Sequence, residues 1–145
     1  MDETNTWAAK AAIIELITRY AALNDAGHWD GVAALYTEDG RMSRPTAPDD
    51  FIAGRVAILA AFRSRPLRAT RHIVANVLVT LDGENEARAT SQILLFTGVS
   101  AGEGLPVQSA TPLVGTYRDR LVKTGDGWLF VERRGSLDFR ILTSA

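Results

Sequence analysis

Ala69-Thr70-Arg71-His72-Ile73-Val74-Ala75-Asn76-Val77 is where the chain changes period. Upstream, apolar residues recur every three to four positions; from this stretch onward they alternate, which is the spacing of strands. The stretch heads an apolar run and carries one of only two histidines in 145 residues. An imidazole entering a strand can face a pocket while its neighbours anchor the sheet. It also suits proton transfer near neutral pH, with an ordinary pKa of about 6.5. A hydrogen-bonded core histidine fits the same position.

Working upstream, residues 6 to 26 read as one helix, with Ile13, Leu16, Ile17, Tyr20, Leu23 and Asn24 on one face and Gly27 as the stop. A short second helix is expected over Trp29–Tyr36, ended by the turn Thr37-Glu38-Asp39-Gly40. An irregular stretch follows, Arg41 to Gly54, with Pro45, Pro48 and room for short strands at Arg41–Arg44 and Phe51–Ala53. A third helix spans Arg55 to about Arg63, with Pro66 just beyond.

Downstream, four strands are expected: Arg71–Leu81, Glu86–Gly98, Ser109–Lys123 and Trp128–Arg140. Turn-type sequences such as Asp82-Gly83-Glu84-Asn85 and Thr124-Gly125-Asp126-Gly127 join them. Pro112 inside the third implies a bulge or an edge. Helices first and an antiparallel meander second make an α+β order in one domain, residues 1–145. A curved antiparallel sheet wrapped around the leading helices makes a cone, whose open end is an apolar pocket.

Composition narrows the chemistry. The chain is 46% hydrophobic and 23% charged, with a net charge of −1, so no basic field points to nucleic acid or an anionic membrane. The absence of cysteine excludes disulfides and thiolate chemistry and fits a cytoplasmic protein. The polar start Met1-Asp2-Glu3-Thr4-Asn5 is unlike a signal peptide, and no apolar stretch nears the roughly 18 residues of a membrane span. There is no Gly-x-Ser-x-Gly elbow and no Gly-rich phosphate loop. His28 and His72 lack zinc-ligand spacing, and His28, after the helix stop, reads as exposed.

Four residues remain as candidates. Tyr20 lies mid-stripe on the first helix, and Asp25 lies at the stripe's edge in the last turn, where the helix dipole disfavours a carboxylate. A carboxylate beside His72 would fix its tautomer and raise its pKa. Arg133 and Arg134 are adjacent on the last strand and point to opposite faces, so one can enter the cavity. Alternation groups Trp128, Phe130 and Glu132 with Arg134, and Leu129 and Val131 with Arg133. Leu94, Phe96, Leu113, Phe130, Phe139 and Phe62 are possible lining groups.

The segments Tyr20-Ala21-Ala22-Leu23-Asn24-Asp25-Ala26-Gly27-His28-Trp29-Asp30, Leu35-Tyr36-Thr37-Glu38-Asp39-Gly40, Thr70-Arg71-His72 with Asn76, and Gly115-Thr116-Tyr117-Arg118-Asp119-Arg120-Leu121 through Glu132-Arg133-Arg134 resemble SnoaL-like proteins of the nuclear-transport-factor-2-like (cystatin-like) superfamily. The resemblance covers almost the whole chain and implies a cystatin-like cone. In motif positions it extends to scytalone dehydratase, lindane dehydrochlorinase and bile acid 7α-dehydratase. It implies that Asp25 and His72 form a dyad for proton abstraction, with Tyr20 and Arg133 stabilising negative charge or a leaving group. The implied activity is a cofactor-independent lyase or isomerase acting on a small apolar cyclic or aromatic molecule, with no metal or organic cofactor. The chain departs from scytalone dehydratase in having no second histidine near Phe96-Thr97, and Asn24 where that enzyme has a tyrosine. Two other readings share the fold: a non-catalytic β subunit of a ring-hydroxylating dioxygenase, and a ligand-binding protein without turnover. A broad curved sheet with an exposed outer face also implies a homodimer or homotrimer.

Overall fold

The computed structural model describes residues 1–142. Helix α1 (Glu3–Ala26) begins three residues ahead of the expected start, because Asp2 Oδ1 accepts the Asn5 backbone N–H at 2.8 Å and caps the first turn. It ends at Gly27, whose φ of 71° is the left-handed conformation that glycine adopts without steric cost. There the Gly27 and His28 N–H groups donate to the carbonyls of Asn24 and Leu23. Ile13, Leu16, Ile17, Tyr20 and Asn24 are buried, as their spacing requires.

Helix α2 (Trp29–Ala33) is shorter than the sequence implies, and Tyr36 opens strand β1 (Tyr36–Arg44). The expected turn at Thr37-Glu38-Asp39-Gly40 is therefore strand. Tyr36 pairs with Phe130 of the last strand, and the Phe130 N–H donates to the Leu35 carbonyl at 2.8 Å. Long-range pairing here overrides local turn chemistry. Gly40 permits the approach: a Cβ there would sit 3.0 Å from the Phe130 carbonyl oxygen. A corner at Pro45-Thr46 leads into β2 (Ala47–Ala53), so the short strands expected at Arg41–Arg44 and Phe51–Ala53 are parts of one longer hairpin. Helix α3 (Arg55–Arg63) has the expected bounds.

Strands β3 (Ala69–Leu81), β4 (Glu86–Val99), β5 (Val107–Gln108), β6 (Leu113–Thr124) and β7 (Gly127–Leu137) complete the sheet. The strand expected from Ser109 begins only at Leu113, directly after Pro112, which has no N–H to donate, and the two-residue β5 lies ahead of it. The last strand stops at Leu137 rather than at Arg140. The sheet runs β2-β1-β7-β6-β4-β3, with β5 on the end of β4. It is mixed rather than wholly antiparallel, because β1 joins the free edge of β7 in parallel. Those two strands are far apart in the chain, so no tight hairpin dictates their relative direction.

Two bulges set which side chains face α1. In β3, Ala75 pairs with Gln92 and Leu78 with Thr90, so Asn76 and Val77 together oppose one residue. Asn76 takes a φ of 52° to make the bulge. Val74 packs against the core before it, and Val77, Val79 and Leu81 do so after it. In β7, Arg120 pairs with Glu132 but Leu121 with Phe130, leaving Val131 extra. Strict alternation places Arg134 with Trp128 and Phe130; the bulge puts Arg133 there instead, while Arg134 is exposed and pairs with Asp49. Around α1 the concave face closes over Tyr20, whose ring makes edge contacts with Tyr36, Phe62, Tyr117 and Phe130 at centroid distances of 5.7–6.5 Å. Among the described residues, no helix is long and apolar enough to cross a membrane.

Candidate active site

Asp25 and His72 meet where the last turn of α1 passes the head of β3. His72 Nδ1 lies 2.6 Å from Asp25 Oδ1, and the His72 backbone N–H donates to Asp25 Oδ2 at 2.9 Å. The Thr70 hydroxyl donates to Asp25 Oδ1, also at 2.9 Å. Both carboxylate oxygens are therefore held by β3, and an Nδ1–H directed at the carboxylate leaves Nε2 as the free lone pair. The two side chains are 14% and 12% exposed, sheltered but not sealed. Burial lowers the His72 pKa from its ordinary value, outweighing the hydrogen bond and charge of Asp25, while Arg133 and Arg65 push the same way as burial. The carboxylate raises the pKa as expected, but burial outweighs it, so at neutral pH the imidazole is an unprotonated base.

His72 lines a cavity of about 360 Å³, which also takes in Tyr20, Asn24, Leu113 and Tyr117. Asp25 stands behind the imidazole, outside that lining. The Tyr20 hydroxyl accepts a hydrogen bond from Tyr36 at 3.1 Å, and burial raises its pKa, so it keeps its own proton available to donate. Tyr20 thus presents a donor and His72 an acceptor to one space.

Arg133 is 1% exposed and does not reach the cavity wall. Its Nε donates to Asp119 Oδ1 at 3.1 Å, and its guanidinium carbon lies 4.3 Å and 4.0 Å from the Tyr20 and Tyr117 ring centroids. Burial pushes the Asp119 carboxyl up to about 6 against the pull of Arg133. Arg133 thus faces the cavity-lining rings of Tyr20 and Tyr117 rather than the cavity itself.

Sequence reasoning missed Thr70, Asp119 and Tyr117. Thr70 stands two residues before His72, so the same strand periodicity that brings His72 to Asp25 also offers its hydroxyl. Asp119 pairs directly across the sheet from Arg133. The lining list also needs correction. Ile93, Leu95 and Thr97 face the cavity, which turns Leu94 and Phe96 to the other side of β4. Phe62 and Phe130 belong to the packed core, and Phe139 is 67% exposed beyond β7. His28 is exposed. Among the described residues, no group of three or more His, Cys, Asp or Glu is placed to hold a metal ion.

A helix-led cone with this strand order defines a class of small α+β proteins that enclose a pocket between helix and sheet. The SnoaL-like domain family matches residues 5–134, and the chain belongs to that family. No curated protein matches the sequence. Solved structures that share the fold include a candidate scytalone dehydratase from Novosphingobium aromaticivorans, 22% identical over 99% of this chain and 95% of that one, with a TM-score of 0.79. An NTF2-like protein with a cystatin-like fold from the same organism is 26% identical over 94% and 90% of the two chains, with a TM-score of 0.74. A type 2 hexachlorocyclohexane dehydrochlorinase, LinA, is 14% identical over 95% and 90%, with a TM-score of 0.80.

Proposed function

We propose that this protein is a cofactor-independent lyase of the dehydratase type, acting on a small cyclic or aromatic molecule held in the cone. The 2.6 Å contact between His72 Nδ1 and Asp25 Oδ1, beside the cavity, carries this reading. His72 Nε2 takes a proton from a carbon next to an activating group. The C–H electron pair becomes a carbon–carbon double bond as the leaving group departs with its own bonding pair. Asp25 holds the ring and stabilises the imidazolium that forms. Tyr20 donates a hydrogen bond to the oxygen or leaving group where negative charge grows, and Arg133 reinforces that through the ring it faces. If the proton returns at another carbon instead, the same groups perform an isomerisation.

Structural neighbours of dehydratase and dehydrochlorinase type support an elimination. An open cavity beside the dyad favours turnover or binding over a scaffold subunit, whose cone would be filled. The test is a panel of cyclic β-hydroxy and β-halo carbonyl compounds, followed by absorbance of the conjugated product. His72→Ala is expected to lower turnover by about 10²–10⁴-fold with the circular dichroism spectrum unchanged. Turnover that survives this substitution would sink the proposal, as would a ligand that binds wild type and Asp25→Asn equally without reacting in either.

A further inference from the structure

Three guanidinium groups line the same cavity as His72: Arg44 at the end of β1, and Arg65 and Arg68 in the segment between α3 and β3. Among the described residues, no aspartate or glutamate lines it. Elsewhere Arg63 pairs with Asp30, Arg88 with Asp82 and Arg134 with Asp49, while Arg55 and Arg118 donate to the Tyr36 carbonyl and the Ser136 hydroxyl. Arg44, Arg65 and Arg68 form no ion pair with any described carboxylate. Arg44 Nε is buried without a hydrogen-bond partner. Arg65 is half-buried, its guanidinium carbon 4.2 Å above the Phe62 ring, and its pKa is lowered by burial first and then by Arg44 and Arg68. Like charges partly withdrawn from water without a counter-ion are costly, and a site that gathers them is built for a charge of the opposite sign. A guanidinium offers paired N–H donors in a plane that matches a carboxylate. Across the same space Met42, Ile93, Leu95 and Leu113 give an apolar wall.

We propose that the cavity selects an organic anion, a carboxylate on an apolar ring system, with Arg44 and Arg65 holding the carboxylate and Arg68 adding positive field at the exposed side. The inference rests on this cavity being the substrate site, and it replaces a purely apolar ligand with an amphipathic one. It also gives the arginines a chemical part: an anion drawn toward Arg44 and Arg65 fixes which ring carbon is presented to His72.

The test needs no turnover. Binding of naphthoate and of its uncharged methyl ester is measured by calorimetry on wild type, Arg44→Gln, Arg65→Gln and His72→Ala. Naphthoate is expected to bind about tenfold or more tightly than the ester in wild type. That preference should shrink by about fivefold or more in each arginine variant and persist in His72→Ala. Equal or tighter binding of the ester overturns the proposal, and so does failure of both ligands to bind up to about 10 mM. Retention of the preference in both arginine variants also overturns it. The wild-type comparison stands even if a variant misfolds. Because binding is read without chemistry, an anion preference combined with no elimination would fault the lyase reading alone.

Discussion

His72 carries two interactions that pull its proton affinity in opposite directions, and burial prevails over Asp25. An NMR titration should therefore place its midpoint below the ordinary imidazole value of about 6.5. Asp25→Asn should lower it further, since the carboxylate is what raises it. Activity requires the unprotonated ring, so it should fall on the acid side of that depressed midpoint and stay level through neutral pH. A midpoint above the ordinary value would show that the carboxylate, not burial, governs the ring. Thr70→Val removes one hydrogen bond to Asp25 Oδ1 and nothing that touches a substrate. The expected loss is about 1 kcal/mol of positioning, or roughly fivefold in kcat, with KM unchanged. Asp25 and His72 are legible as a pair in the sequence because their types and places match a known pattern. The sign of the pKa shift is not, because it depends on how much water each side chain loses.

At the scale of elements, the corner between β1 and β2 decides the shape of the cavity mouth. Arg44, Pro45 and Thr46 all line it, and Pro45 is pressed onto β7 at Gly135. A Cβ at Gly135 would come within 2.6 Å of the Pro45 nitrogen and 2.7 Å of its Cδ, both fixed by the backbone. Gly135→Ala should push the corner outward, at a cost of about 1–3 kcal/mol, measured by urea unfolding. It should also weaken ligand binding without moving the His72 titration. The helices α1 and α3 and the strand β4 are legible to within a few residues, because each carries an unbroken period and a clear stop. Of the β1–β2 hairpin only the short segments Arg41–Arg44 and Phe51–Ala53 are. The first half of β1 pairs with β7, more than ninety residues later, and the local Asp-Gly argues for a turn there.

For the whole molecule, the pair Asp119–Arg133 is an ionic centre inside an aromatic cage. Asp119 Oδ2 and Arg133 Nη2 are buried without partners, so the pair is incompletely satisfied. Removing one member leaves the other charge uncompensated. Asp119→Ala should cost about 3–5 kcal/mol, lowering Tm by roughly 10 °C in calorimetry. The double variant Asp119→Leu with Arg133→Leu should recover most of that stability, because an apolar pair has no charge to desolvate. A double variant as unstable as the single would show that the pair is more than a balanced burial. The resemblance makes Arg133 a candidate; alternation assigns it to the wrong company, since the bulge at Val131 has no sequence mark.

The bulges at Asn76 and Val131 give β3 and β7 something like two reading frames. One frame of each strand lays down apolar packing: Val77, Val79 and Leu81 in β3, Trp128 and Phe130 in β7. The other frame carries two of the candidate site residues, His72 in β3 and Arg133 in β7. A single extra residue shifts one frame against the other, so both halves of each strand turn toward α1 where strict alternation would turn one of them away.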